Sequence, residues 1–151
     1  MIGGRARQLL EQALAEMGQA RRHLDYSFAQ VAPLPEPPAQ LDERQLESVE
    51  AFASRFSRAV DLLVNKLLRS LDRVELFPEG SLLDVVNRAE KRGFVGRAAE
   101  LRELKEVRNV IAHDYAGARA AEIFAFCRQQ KPAFDAIADR ACDYARHLLA
   151  T

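Results

Sequence analysis

Val49, Phe52, Phe56, Val60, Leu63, Leu67 and Leu71 recur at steps of three and four residues. Side chains at that spacing fall on one face of an α-helix, so the pattern predicts a helix with an apolar stripe about six turns long. A stripe of that length is core by default. Asp42 is placed to cap its start, with Gln45 reaching back in a capping box, and the helix is expected to end before Pro78. No Val/Ile/Thr-rich alternating stretch offers a strand, so the partners of this stripe must be other helices.

Breakers divide the rest of the chain. A first helix is expected from about Arg5 to about Val31, followed by a stiff loop over about 32–41 carrying Pro33, Pro35, Pro37 and Pro38. Ser81 opens a third helix with Asp84 in its first turn, and Gly93 closes it before the Phe94-Val95-Gly96 corner. A fourth helix is expected from about Arg97 to about Ala116, stopped by Gly117. The last helical region runs from about Ala120 to about Leu149, with Pro132 expected to kink or split it. The predicted fold is all-α, an up-and-down antiparallel bundle of about five helices in a single domain over 1–151.

Charge and cysteine usage narrow the function. Lys and Arg total 22 and Asp and Glu total 22, so the chain has no long-range attraction for a polyanion. That argues against a histone-like coating role and leaves room for a local basic site. No apolar run approaches the roughly 20 residues that span a bilayer, and MIGGRARQLLEQ lacks the apolar core of a signal peptide. Cys127 and Cys142 share one helical region, about 22 Å apart along its axis, beyond the reach of a disulfide unless the chain folds back. Two reduced, buried thiols in a cytoplasmic protein are expected.

The fourth helix holds the chemistry. Wound at about 100° per residue, it places Leu101, Leu104, Ile111, Ala112 and Tyr115 within about 60° of Arg108, so Arg108 is expected in the middle of the apolar stripe. A guanidinium there keeps its proton and requires an anion or several acceptors. Asn109 and His113, four apart, share an adjoining face. Arginine balances charge on phosphate oxygens, and an imidazole exchanges protons near neutral pH, so the set suits phosphate chemistry. Spacing alone leaves a second reading open, in which Arg108 pairs with a core carboxylate and His113 is a satisfied helix histidine.

The string RNVIAHDY resembles the signature of the HEPN superfamily, and more narrowly the HepT type: arginine, four residues, histidine, one residue, tyrosine. Arg108, His113 and Tyr115 match it position for position, Asn109 is the usual residue after the arginine, and Asp114 is common in the gap. The stretch from Asp84 to Val95 looks like the helix and corner that precede the motif in such proteins, and the resemblance covers Val49 to Gly117. It implies a metal-independent endoribonuclease that needs no cofactor, the toxin of a toxin–antitoxin pair, acting as a homodimer whose motif helices build a composite cleft. Arg108 and His113 would be catalytic and Asn109 would bind substrate. A cognate minimal nucleotidyltransferase would add AMP to Tyr115 and silence the toxin. The alternative is a non-catalytic nucleotide- or nucleotidyltransferase-binding module of the same fold. A third reading, a helical adaptor, places Arg108 in a core salt bridge far from any cleft.

Other residues carry weaker signals. His23, His113 and His147 are scattered and no metal-ligand spacing occurs. Arg88, Lys91, Arg92, Arg97, Arg102 and Lys105 are expected to form a solvated face paired with Glu90, Glu100, Glu103 and Glu106, rather than an RNA-guiding rim. Phe124, Phe126 and Phe134 are expected in the core rather than as base-stacking platforms, and His147 near a frayed end.

Overall fold

Two reciprocal caps start helices where the sequence anticipates them. Asp42 Oδ1 accepts the Gln45 N–H at 2.8 Å while Gln45 Oε1 accepts the Asp42 N–H at 3.0 Å. Ser81 Oγ accepts the Asp84 N–H at 3.3 Å and Asp84 Oδ2 accepts the Ser81 N–H at 2.9 Å, which holds the Asp84 carboxyl below the usual carboxylate range. The computed structural model describes residues 2–35, 40–114 and 119–151. Its helices are α1 (Gly4–Val31), α2 (Glu43–Leu62), α3 (Arg69–Val74), α4 (Leu82–Lys91), α5 (Ala98–Ala112) and α6 (Ala120–Ala150). A π turn over Leu63–Leu68 joins α2 to α3 with helical backbone at both joints, so 43–74 is one continuous rod. Counted that way there are five helices, and no strand occurs among the described residues. Pro37 and Pro38 of the expected loop, and Ala116 and Gly117 at the expected end of the fourth helix, lie outside the described residues.

The rod supplies the centre of the core. Phe52, Phe56, Leu63, Leu67 and Leu71 of the anticipated stripe are fully buried, with Val49 and Val60 nearly so. In the π turn the i→i+5 bonding spreads a turn over more residues. Leu63, Val64, Leu67 and Leu68 are all sealed there, while Asn65 and Lys66 stay toward solvent. Phe124 and Phe134 of α6 complete the centre, edge-on to Phe52 at 6.2 Å and tilted on Phe56 at 5.8 Å. Both were expected in the core, whereas Phe126 is only half-buried.

α1 and α6 run antiparallel. Arg7, early in α1, donates to the Leu149 carbonyl near the end of α6, and Arg128, early in α6, donates to the Ala32 and Leu34 carbonyls just past α1. Close to the Arg128 end, Lys131 is buried between Asp25 at 2.7 Å and Asp135 at 2.6 Å. Burial works against its charge, but the hydrogen bonds it donates to Asp135 and Asp25 prevail and hold the ammonium above its ordinary range. Pro132 neither splits nor ends α6. Its own ring is exposed while Lys131 and Phe134 beside it are buried, so packing on both sides carries the helix through the missing hydrogen bond. Cys127 and Cys142 are free and buried on this helix, as expected, and burial pushes the Cys127 thiol up to about 12.

The basic run before the motif forms only part of the solvated face expected of it: Lys91, Arg97 and Arg102 are exposed, whereas Lys105 is half-buried against Asp61. Arg88 and Arg92 turn inward and clamp Asp72 of α3, at 3.0 Å to Oδ2 and 2.8 Å to Oδ1. Arg92 also reaches Glu75 at 2.9 Å, and the Tyr144 hydroxyl donates to the same carboxylate. Asp72 is 5% exposed as a residue, so this is a buried ionic cluster tying α3, α4 and α6 together. Helix dipoles and local spacing do not reveal it, because its acid comes from a segment 16 residues from Arg88. Only Arg97 makes the expected exposed pair, with Glu100 at 3.7 Å.

Both ends that flank this cluster close in the same way. At the end of α4 the Phe94 N–H reaches the Ala89 carbonyl and the Gly93 N–H the Glu90 carbonyl, with Gly93 at φ 83°. At the end of α3 the Phe77 N–H reaches Asp72 and the Leu76 N–H reaches Arg73, but the left-handed position is held by Leu76 at φ 63°. A leucine there is strained, and at 89% exposure it gains no burial in return.

Leu76→Gly should therefore raise stability by about 1 kcal/mol in urea denaturation. Asp72→Ala should lower it by about 3 kcal/mol, because Arg88 and Arg92 lose the acid they are buried against, while Asp143→Ala at the exposed Arg146 pair should change it far less. Above the ordinary thiol value of 9.0 the unfolded chain releases the Cys127 proton and the folded chain keeps it until about 12. The contribution of Cys127 is thus present below pH 9.0 and lost as pH rises toward 12, and Cys127→Ala should flatten the alkaline limb of a stability-against-pH series.

Candidate functional site

α5 turns its buried face about 60° away from the position a symmetric helical wheel assigns it. Leu101, Leu104 and Val107 are its buried residues, with Val110 and Ile111 half-buried and Ala112 exposed. The stripe therefore centres near Leu104 and Ile111, and Arg108 lies on its flank rather than in its middle. The cause is tertiary: α5 sits against α2, α4 and α6, and Val107 and Val110 lie on its side toward α6. The helix also ends at Ala112, short of the expected Ala116. His113 is its C-cap residue at φ −100° and ψ 3°, and its backbone N–H still reaches the Asn109 carbonyl at 3.1 Å.

Arg108 is exposed, with 62% of its side chain open, and its Nη1 lies 3.2 Å from Asp61 Oδ1. The same oxygen takes Lys105 Nζ at 3.2 Å and Asn65 Nδ2 at 2.8 Å. So Arg108 does pair with a carboxylate, but that carboxylate is on the rim, 31% exposed, and not in the core. Asn109 is exposed and its Nδ2 reaches Glu106 Oε2 at 3.4 Å. His113 is exposed one turn further on. Tyr115, the remaining residue of the motif, lies outside the described residues.

Two hollows meet at Arg108. One, of about 230 Å³, is lined by Ser54, Ser57, Arg58, Asp61 and Arg108. The other, of about 540 Å³, runs along the outer face of α5 past Arg102, Glu103, Lys105, Glu106, Arg108 and Asn109 to Leu82. Arg58, Lys105 and Arg108 thus gather about Asp61, with two serine hydroxyls beside it and Glu103 and Glu106 further along the second hollow. Such a set can accept an anion: a phosphate oxygen competes with Asp61 for a guanidinium that already projects into solvent. A third hollow of about 330 Å³ lies between α5 and α6 on a floor of Val107, Val110, Ile123 and Phe126.

Asp61, Ser57 and Arg58 were not singled out by sequence reasoning. They stand 47 or more residues before Arg108, and reading α2 for its apolar stripe passes over them. The available signal was a carboxylate set directly after Val60, on the flank of that stripe. No group of three or more His, Cys, Asp or Glu side chains able to hold a metal occurs among the described residues, and none of their helices is long and apolar enough to cross a membrane. His23 and His147 are exposed and far along the chain from Arg108. In comparisons with known proteins, no family model, curated protein or solved structure matches the chain.

Proposed function

We propose that the protein is a HEPN-like, metal-independent endoribonuclease of the HepT type, the toxin of a toxin–antitoxin pair. One observation carries the reading: Arg108 stands exposed at the junction of two hollows, near the end of α5 with Asn109 beside it and His113 as the cap of the helix. In the proposed reaction an RNA 2′-oxygen attacks the adjacent phosphorus and the bond from phosphorus to the 5′-oxygen breaks. His113 takes the 2′-hydroxyl proton, and His113 of a second copy protonates the leaving 5′-oxygen. The products are a 2′,3′-cyclic phosphate and a 5′-hydroxyl. Arg108 stabilises the charge that builds on the phosphoryl oxygens, and Asn109 hydrogen-bonds the phosphate. Asp61 holds the guanidinium in place until the substrate displaces it.

One histidine of this kind per chain makes a twofold homodimer chemically reasonable, with the α5 ends facing each other. A cognate nucleotidyltransferase would add AMP to Tyr115. The added phosphodiester would compete with RNA for Arg108 and fill the cleft. The alternative is a module of the same fold that binds a nucleotide or a nucleotidyltransferase without cleavage. Its support is Asp61, which already neutralises Arg108.

Wild-type protein in excess chelator should cleave labelled RNA, and His113→Ala should slow cleavage by at least about 100-fold. A substrate with 2′-deoxyribose at the cut site should be inert. Tyr115→Phe should keep cleavage and escape silencing by the nucleotidyltransferase. Cleavage by a folded His113→Ala chain at the wild-type rate would overturn the assignment, and RNA left intact by the wild type would favour the binding module.

A further inference from the structure

A second concentration of positive charge lies further along the rod. A groove of about 370 Å³ between α1 and the segment from the π turn to α3 is lined by Arg5, Glu16, Lys66, Arg69 and Arg73, with Asn65 and Ser70. Four cations face one carboxylate there, in a chain whose charges sum to zero. The buried cations elsewhere are matched: Arg88 and Arg92 by Asp72, and Lys131 by Asp25 and Asp135. Arg5, Lys66, Arg69 and Arg73 form no ion pair among the described residues, and Arg69 donates instead to the Gly80 carbonyl at 2.9 Å. Arg5, Lys66 and Arg73 are exposed, and α1 has no acidic residue in its first turn to offset Arg5.

The groove is joined to the Arg108 site. Asn65 lines the groove and donates to the Asp61 oxygen that also holds Arg108. Ser57, Asp61, Asn65, Arg69 and Arg73 follow one another at steps of four along the rod. At 1.5 Å per residue the ridge from Asp61 to Arg73 is about 18 Å long. No aromatic side chain lines the groove, so it offers contacts to a backbone rather than platforms for bases.

We propose that this groove is a phosphate track that holds the backbone of a single-stranded RNA whose scissile phosphate lies at Arg108. The inference rests on the ribonuclease reading for the identity of the strand. The unmatched cations and their link through Asn65 stand without it. Lys66 and Arg73 supply the mobile charges, Arg69 is fixed by Gly80, and Arg5 closes the groove from α1. Recognition is by charge, so binding is independent of sequence and weakens steeply with salt.

The test uses the full chain carrying His113→Ala, so that the probe stays intact, and a fluorescent single-stranded RNA of roughly 12 nucleotides in anisotropy titrations over a salt series. Adding Lys66→Ala and Arg73→Ala together should weaken binding about tenfold and reduce the slope of log affinity against log salt by about 1.4, two phosphate contacts at about 0.7 each. Both side chains are exposed, so the circular dichroism spectrum should be unchanged, and Arg44→Ala at the far end of α2 should bind like the parent. Parental affinity and slope in the double variant would overturn the track, as would absence of RNA binding at about 50 mM salt. Cleavage by the chain with His113 intact separates the two readings. RNA that binds through Lys66 and Arg73 but is never cut sinks the ribonuclease and leaves the track. RNA that is cut and bound equally well by the double variant sinks the track alone.

Discussion

Burial of the apolar side of the 43–74 rod is the constraint on which the rest of the molecule depends. The rod touches α1, α5 and α6 along α2, and α4 through the π turn, and its Phe and Leu side chains fill the space among them. Each of those helices is oriented by what it presents to the rod. The same rod then carries polar groups along its other side: Ser57, Asp61, Asn65, Arg69 and Arg73. One helix thus provides both the core and the ridge on which the candidate chemistry rests. A change that rotated the rod would move Asp61 away from Arg108 as surely as it would expose Leu67.

The charges of the chain cancel in sum and are sorted in space. Opposite charges meet where one of them is buried and ties helices together: buried Asp72 between Arg88 and Arg92, and buried Lys131 between Asp135 and Asp25. Taking those charges out of water is costly unless each is paired, so such clusters arise with near-equal numbers of both signs. Other cations gather at Arg58, Lys105 and Arg108 around Asp61 and in the α1 groove. A net charge of zero therefore excludes a long-range field and leaves local ones untouched. Spatial sorting is what makes a neutral chain compatible with a polyanionic substrate.

The motif helix shows where a helical wheel stops being informative. Angles at 100° per residue correctly group Leu101, Leu104 and Ile111, but a wheel has no knowledge of how many neighbours a helix has. α5 has three, α2, α4 and α6, and among them Val107 and Val110 turn inward while Ala112 and Arg108 stay toward solvent. That rotation is small in angle and decisive in chemistry. It converts Arg108 from a core cation needing a buried acid into an exposed one shared by two hollows.

Local physics was readable from the chain itself. Capping residues at Asp42 and Ser81, the glycine at Gly93, and the apolar period from Val49 to Leu71 act within a few residues of backbone, so their outcome follows from sequence. The identity and spacing of Arg108, Asn109 and His113 were legible for the same reason. Tertiary structure alone decided three other matters. It passed Pro132 through an unbroken α6, because flanking buried side chains outweighed one lost hydrogen bond. It inserted a π turn in the rod, because Leu63, Val64, Leu67 and Leu68 all had partners to bury against. And it brought Asp61 to Arg108 across 47 residues of sequence, an encounter of two charged groups that no local pattern encodes, since it depends on which faces of two helices meet.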